Sequence, residues 1–169
     1  MQHEITERIP LLDGSGNLTQ PGYAKKLLPV YRRADIKAGR LRIKEWDYYL
    51  INNGRFALAL TVDDNGYMGL DSISLLDFEN GWEITNSPMS FMPLGKLRMP
   101  ETSAAGDVSH GGKKHLISFK HDGPGSRVLE AHMDNFGPGG AITAHVELFD
   151  EPDESMVICT PFDKPGHFY

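Results

Sequence analysis

The sequence predicts an all-β fold, an antiparallel barrel or barrel-like sandwich, and three observations carry that. Strand-like runs recur at short intervals between Gly, Pro and Asn turns. No stretch sustains a helical period of apolar residues for more than two turns. Two Asn-Gly pairs, Asn53-Gly54 and Asn65-Gly66, separate alternating segments, which is a strong hairpin signal.

Residues 1–39 are turn-rich, with Asp13-Gly14, Gly16-Asn17 and Pro21-Gly22, and one short helical turn is expected near Tyr23–Leu28. This irregular segment is expected to pack on the sheet. From residue 40 to 160 the strands follow one another as the antiparallel domain. They fall near 41–51, 55–63, 67–78, 82–87, 89–94, 107–110, 114–121, 126–133, 141–150 and 155–160. Residues 161–169 read as the start of a connection to a second half.

Placing both residues of each Asn-Gly pair at the centre of a two-residue turn sets the register. Tyr49 then faces Leu58, Asp47 faces Leu60, and Leu60 faces Asp71. One sheet face carries Glu45, Asp47, Tyr49, Leu58, Leu60, Val62, Asp71 and Ile73; the other carries Trp46, Tyr48, Leu50, Ala57, Ala59 and Thr61. Both faces are largely apolar or small, so both are expected to be covered. A second hairpin joins 126–133 to 141–150 around Asp134–Gly140. Matching apolar to apolar pairs Leu129 with Val146, Ala131 with Ala144 and Met133 with Ile142. Glu130–His145 and His132–Thr143 then share the other face.

Composition narrows the classes. A net charge of −6 over 169 residues argues against a nucleic-acid surface, and the Lys and Arg pairs are short. No run approaches the roughly 20 apolar residues of a membrane span. The opening MQHEITERIP lacks the apolar core of a signal peptide. The one cysteine, Cys159, has no internal partner, so a cytoplasmic setting is expected; within MVICT it reads as a small buried hydrophobe.

The candidate chemistry is sparse. Asp47 and Asp71 on one apolar face, two strands apart, would sit about 10 Å from each other at the backbone. Burial raises a carboxyl pKa and makes a general acid, so these two are the candidate catalytic residues. The alternative is that they bond to backbone or arginine groups as structural contacts. Glu45, Trp46, Tyr48, Tyr49, Leu58, Leu60 and Ile73 are the candidate ligand-binding residues, either as plain core or as the lining of an apolar cavity. His110 and His115 flank a Gly-Gly-Lys-Lys turn. With no H-x-H, HExxH or CxxC pattern, no metal site and no cofactor are expected. The glycine clusters at 123–125 and 137–140 join strands to strands and are not phosphate loops. No G-x-S-x-G elbow marks a serine nucleophile.

Four segments carry a family resemblance: Leu11–Gly39 (LLDGSGNLTQPGYAKKLLPVYRRADIKAG), Leu41–Leu50 (LRIKEWDYYL), Gly66–Phe78 (GYMGLDSISLLDF) and Pro93–Ser109 (PLGKLRMPETSAAGDVS). In order and spacing they resemble the N-terminal half of the DUF2804 family. The resemblance implies a longer protein. It also implies a more distant similarity to two-barrel lipocalin-like proteins of the carotenoid hydratase and tocopherol cyclase type, a link that concerns fold and not function. Three functions follow as expectations. The first is a lipocalin-like module binding an apolar small molecule, lipid or terpenoid-like. The second is an acid-catalysed hydratase or cyclase using Asp47 or Asp71. The third is a structural half-domain. Its partner would be a second β domain or another copy covering the apolar sheet face.

Overall fold

The computed structural model describes residues 2–169. Among these, thirteen strands and a single 3-10 turn at Arg33–Asp35 make up the regular structure, with no α-helix. The strands are β1 (Ile9–Pro10), β2 (Gly22–Ala24), β3 (Pro29–Val30), β4 (Glu45–Asn52), β5 (Phe56–Asp64), β6 (Met68–Asp77) and β7 (Trp82–Asn86), followed by β8 (Met89–Phe91), β9 (Val108–Gly111), β10 (His115–His121), β11 (Arg127–Gly137), β12 (Gly140–Leu148) and β13 (Val157–Cys159). The fold is all-β with antiparallel sheets. The helical turn expected near Tyr23–Leu28 does not form. Instead β2 pairs antiparallel with β13, Tyr23 opposite Ile158, because a distant strand offers its backbone the partners a single turn of helix could not.

Contacts divide the chain into two compact units. Among the described residues, 2–39, 101–105 and 151–169 form one. Its core is Ile5, Ala24 and Cys159, with Ile9, Leu11, Leu18, Leu28 and Val157 packed around them. In it β1 runs parallel to β3, and the Asn17 side chain accepts the Gly166 N–H at 2.8 Å.

Residues 40–100 and 106–150 form the second unit. Its first sheet runs β4-β5-β6-β7, with β8 also paired to β6; its second runs β12-β11-β10-β9. The inner faces pack together, with β5 against β9 and β10 and β7 against β11. Leu60, Val62 and Ile73 from the first sheet meet Ile117, Phe119, Leu129, Ala131 and Met133 from the second. Strand pairing stays within each sheet, so the arrangement is a sandwich and no closed barrel is found.

Alternation set the faces of β4 correctly. Asp47, Tyr49 and Ile51 turn inward, and Trp46, Tyr48 and Leu50 turn outward, where they are 42%, 53% and 50% exposed. The register differs by two residues at both hairpins. Asp47 pairs with Val62 and Tyr49 with Leu60, and Val62 pairs with Asp71. The expected placement of Asp47 and Asp71 beside Leu60 is therefore corrected: they flank Val62.

The cause lies in the turns. Asn53 is not a central residue. Its side chain accepts the Arg55 and Phe56 N–H groups, and Gly54, at φ +88°, takes the first central position. That is where a type II′ turn wants glycine. In the second turn Gly66, at φ +77°, likewise takes the first central position, with Asn65 N–H donating to Met68 O at 2.8 Å. Each turn moves by one residue, so register moves by two and the faces are preserved. The β11–β12 hairpin has the expected register throughout, Leu129 opposite Val146 and Glu130 opposite His145, with an irregularity only between Met133 and Gly137.

Candidate functional site

Three polar sites interrupt the second unit. The first centres on Asp71, which is 4% exposed on the inner face of β6. His110 Nδ1 lies 2.8 Å from both of its carboxylate oxygens, and His115 Nε2 lies 2.7 Å from Oδ2. A carboxylate can only accept, so His110 donates through Nδ1 and His115 through Nε2. That leaves His110 Nε2 and His115 Nδ1 for other partners. The histidines reach Asp71 from the second sheet. His110 on β9 stands opposite Ile117, a core residue of β10, and His115 opens β10. These bonds tie the two sheets together.

The second site lies toward the other end of the same inner face. Arg127, buried on β11, donates from Nη1 to Tyr49 Oη at 3.1 Å and to His121 Nε2 at 3.0 Å. The Tyr49 ring packs against Phe119, centroids 4.6 Å apart. Burial pushes the Asp47 carboxyl above its usual range, and the Arg127 guanidinium offsets part of that rise. Asp47 and Asp71 thus share a face and a row, but each belongs to its own group of partners.

The third site is on the outer face of the first sheet. The observed register places Trp46 opposite Asp63 and Tyr48 opposite Thr61. With Lys44 and Asn65 these residues line a groove of about 390 Å³. Asp63 Oδ2 accepts from Asn65 Nδ2 at 2.6 Å, whereas Asp63 Oδ1 is buried and has no hydrogen-bond partner. Burial is the main reason the Asp63 carboxyl is raised. The Asn65 side chain and Leu70 N–H lower it in part, and the Asp64 and Asp71 charges raise it further. Lys44 Nζ rests over the Tyr67 ring, 5.9 Å from its centroid.

A raised carboxyl sets the sign of one pH effect. Asp63 contributes stability below its ordinary value of 3.8, and that contribution is lost as pH rises through the higher folded value. At neutral pH its ionised form therefore costs stability. Asp63→Asn is expected to have a higher urea midpoint than the parent chain at pH 7, with the gap closing on acidification. A less stable variant at pH 7 would show that the Asn65 and Leu70 bonds outweigh burial.

The sequence-predicted ligand residues do not gather in one place. Leu60 and Ile73 are 0% exposed in the core, with Leu58 and Tyr49 packed against it. Glu45 opens β4 opposite Asp64. Trp46 and Tyr48 stand on the opposite face from these and line the groove. Asp63, His110, His115, His121 and Arg127 were outside the predicted set. The Asn65-Gly66 turn marks Asp63 as a strand-end residue, and the Gly-Gly-Lys-Lys turn brings His110 and His115 near each other. Neither signal reveals that both histidines meet Asp71. Among the described residues no group of three or more His, Cys, Asp or Glu side chains is placed to hold a metal, and no helix is long and apolar enough to cross a membrane.

No curated protein and no solved structure matches the chain. The profile of the family described as "Domain of unknown function (DUF2804)" matches residues 2–169, all the residues whose fold is described above. The chain belongs to the DUF2804 family.

Proposed function

We propose that this chain is a β-sandwich module that binds a small molecule with a flat apolar part in the groove on the outer face of its first sheet. One observation supports this most: Trp46 and Tyr48 stand exposed on the outer face, and with Asp63 they line one groove. Aromatic side chains with a few placed polar groups are the usual lining of a small-molecule site, and here they border an open groove. The inner face offers less, since Leu60 and Ile73 have no exposed surface. A cytoplasmic setting fits the single cysteine.

Native mass spectrometry of the purified chain tests the reading. A co-purifying small molecule is expected, and Trp46→Ala is expected to lose it. The row of Trp46, Tyr48 and Leu50 is also what a second β domain or another copy would cover. A dimer mass without any small molecule would favour that partner.

A second reading, acid–base catalysis of the hydratase or cyclase type, is favoured by the buried Asp71 carboxylate between two imidazoles. A carboxylate that fixes the orientation of an imidazole prepares it to move protons. The co-purifying molecule separates the two readings: Asp71→Asn leaves a bound ligand in place, but abolishes any conversion of it.

A further inference from the structure

One loop end of the first sheet gathers positive charge in a chain whose net charge is −6. Three segments meet there around the Asn65-Gly66 turn. A Cβ on Gly66 would touch Arg40 O, Leu41 C and Ile43 O, so the segment leading into β4 lies against the turn. Leu94 N–H donates to Gly66 O at 3.1 Å, Met92 N–H to Tyr67 O at 3.0 Å and Gly95 N–H to Asp64 Oδ2 at 2.7 Å. Those bonds seat the loop after β8 on the same turn. The two flanking segments supply Arg40, Arg42, Lys44, Lys96 and Arg98, all exposed. Residues 40–44, 65–68 and 89–99 contain no Asp or Glu. The acids that border them, Glu45, Asp63 and Asp64, are half-buried or buried.

Apolar side chains protrude among these cations. Leu41, Tyr67, Phe91 and Met92 are exposed, and Phe91, at 85%, is the most exposed large hydrophobic residue among the described ones. It pairs with Met68 at the end of β8, beside the turn. The backbone is strained where it presents this surface: Met92 has φ 55° and Arg98 φ 52°, which non-glycine residues keep only under constraint. Apolar groups held out into water in one patch mark an interaction surface. Protruding tips suit a bilayer, which receives apolar side chains without a matching shape, while Lys and Arg stems lie along it and their charges meet anionic headgroups. A nucleic-acid backbone would engage the cations but would leave Leu41 and Met92 in water.

We propose that this loop end docks on the surface of a bilayer containing anionic lipids. Leu41, Phe91 and Met92 enter the headgroup layer, and the five cations meet the lipid phosphates. The docking does not depend on the groove being a binding site, and its test needs no groove ligand.

Co-sedimentation of the full chain with vesicles tests it. One set is phosphatidylcholine alone, and the other contains about a quarter phosphatidylserine. Binding to the anionic vesicles is expected to be at least about tenfold tighter and to weaken as salt is raised. Each Lys or Arg near such a surface contributes about fivefold, so Lys96→Gln is expected to weaken binding by that factor and Lys96→Gln with Arg98→Gln about 25-fold. Phe91→Ser is expected to weaken it about tenfold. Arg55→Gln removes the same charge at the far end of β5 and is expected to bind as the parent chain does. Equal binding to both vesicle types, or to neither, overturns the proposal, as does an equal loss for Arg55→Gln and Lys96→Gln. Capture of poly-glutamate but of neither vesicle overturns it in favour of an acidic protein partner. The comparison of the two vesicle types uses the parent chain, so it decides the matter whatever the stability of the variants.

Discussion

Gly66→Ala is expected to lower stability by more than about 3 kcal/mol. Two costs add. Gly66 sits at φ +77°, in the left-handed region, where a side chain costs about 1–2 kcal/mol. A Cβ there would also stand 2.3 Å from Arg40 O, 3.0 Å from Leu41 C and 3.1 Å from Ile43 O. All three are backbone atoms and cannot swing aside. The equivalent position in the first hairpin is the control. Gly54 has φ +88° but open space around it, so Gly54→Ala is expected to pay only the conformational cost. Urea denaturation of both variants measures the difference. Equal losses would mean that the segment at Arg40–Ile43 moves away freely.

The second large effect is expected at Asp64. This residue is 0% exposed, and its two oxygens join two loops: Oδ1 takes the Gly66 N–H of the second hairpin and Oδ2 the Gly95 N–H. Gly95 lies in a segment where Met92, Leu94 and Arg98 all have φ between 52° and 55°. Non-glycine residues stay in that region only where the surroundings hold them. The segment is held by Asp64, by Met92 N–H on Tyr67 O at 3.0 Å and by Leu94 N–H on Gly66 O at 3.1 Å. Asp64→Ala removes two charge-assisted bonds and leaves their donors orphaned. The expected loss is about 3 kcal/mol, or roughly 10 °C in Tm for a chain of this size. Asp64→Asn retains one acceptor and is expected to fall between. A thermal scan in which Asp64→Ala melts with the parent chain would show that the loop bonds are replaced by water at no cost.

Much of the fold was legible because a strand's period is two. Parity alone put Asp47, Tyr49, Leu60 and Ile73 on one face and Trp46, Tyr48 and Thr61 on the other. Parity is unchanged by a register shift of two, so the faces hold wherever the two turns sit. The position of each turn is not legible, because Asn has two ways to serve a hairpin. It can occupy the first central position itself, or stand before it and cap the turn with its side chain, as Asn53 does. The residue pair does not distinguish these. The β11–β12 register was legible because apolar residues on both strands had to match, independently of the loop between them.

The polar sites were less legible because they need facts beyond strand pairing. Asp71 and His110 are 39 residues apart and lie in different sheets, so their bond depends on how the sheets face. The bond from Asn65 to Asp63 depends on where the Asn65 amide ends up, and that follows from the position of the turn.

The most direct test of the central claim, that the outer face of the first sheet is the binding face, is native mass spectrometry of the chain and three variants. The account predicts a small-molecule adduct on the parent chain and on Asp71→Asn, and its loss from Trp46→Ala and from Tyr48→Ala, all with the same folded charge-state distribution. An adduct retained by both aromatic variants and lost from Asp71→Asn would contradict it, and would move the site to the inner face between His110 and His115.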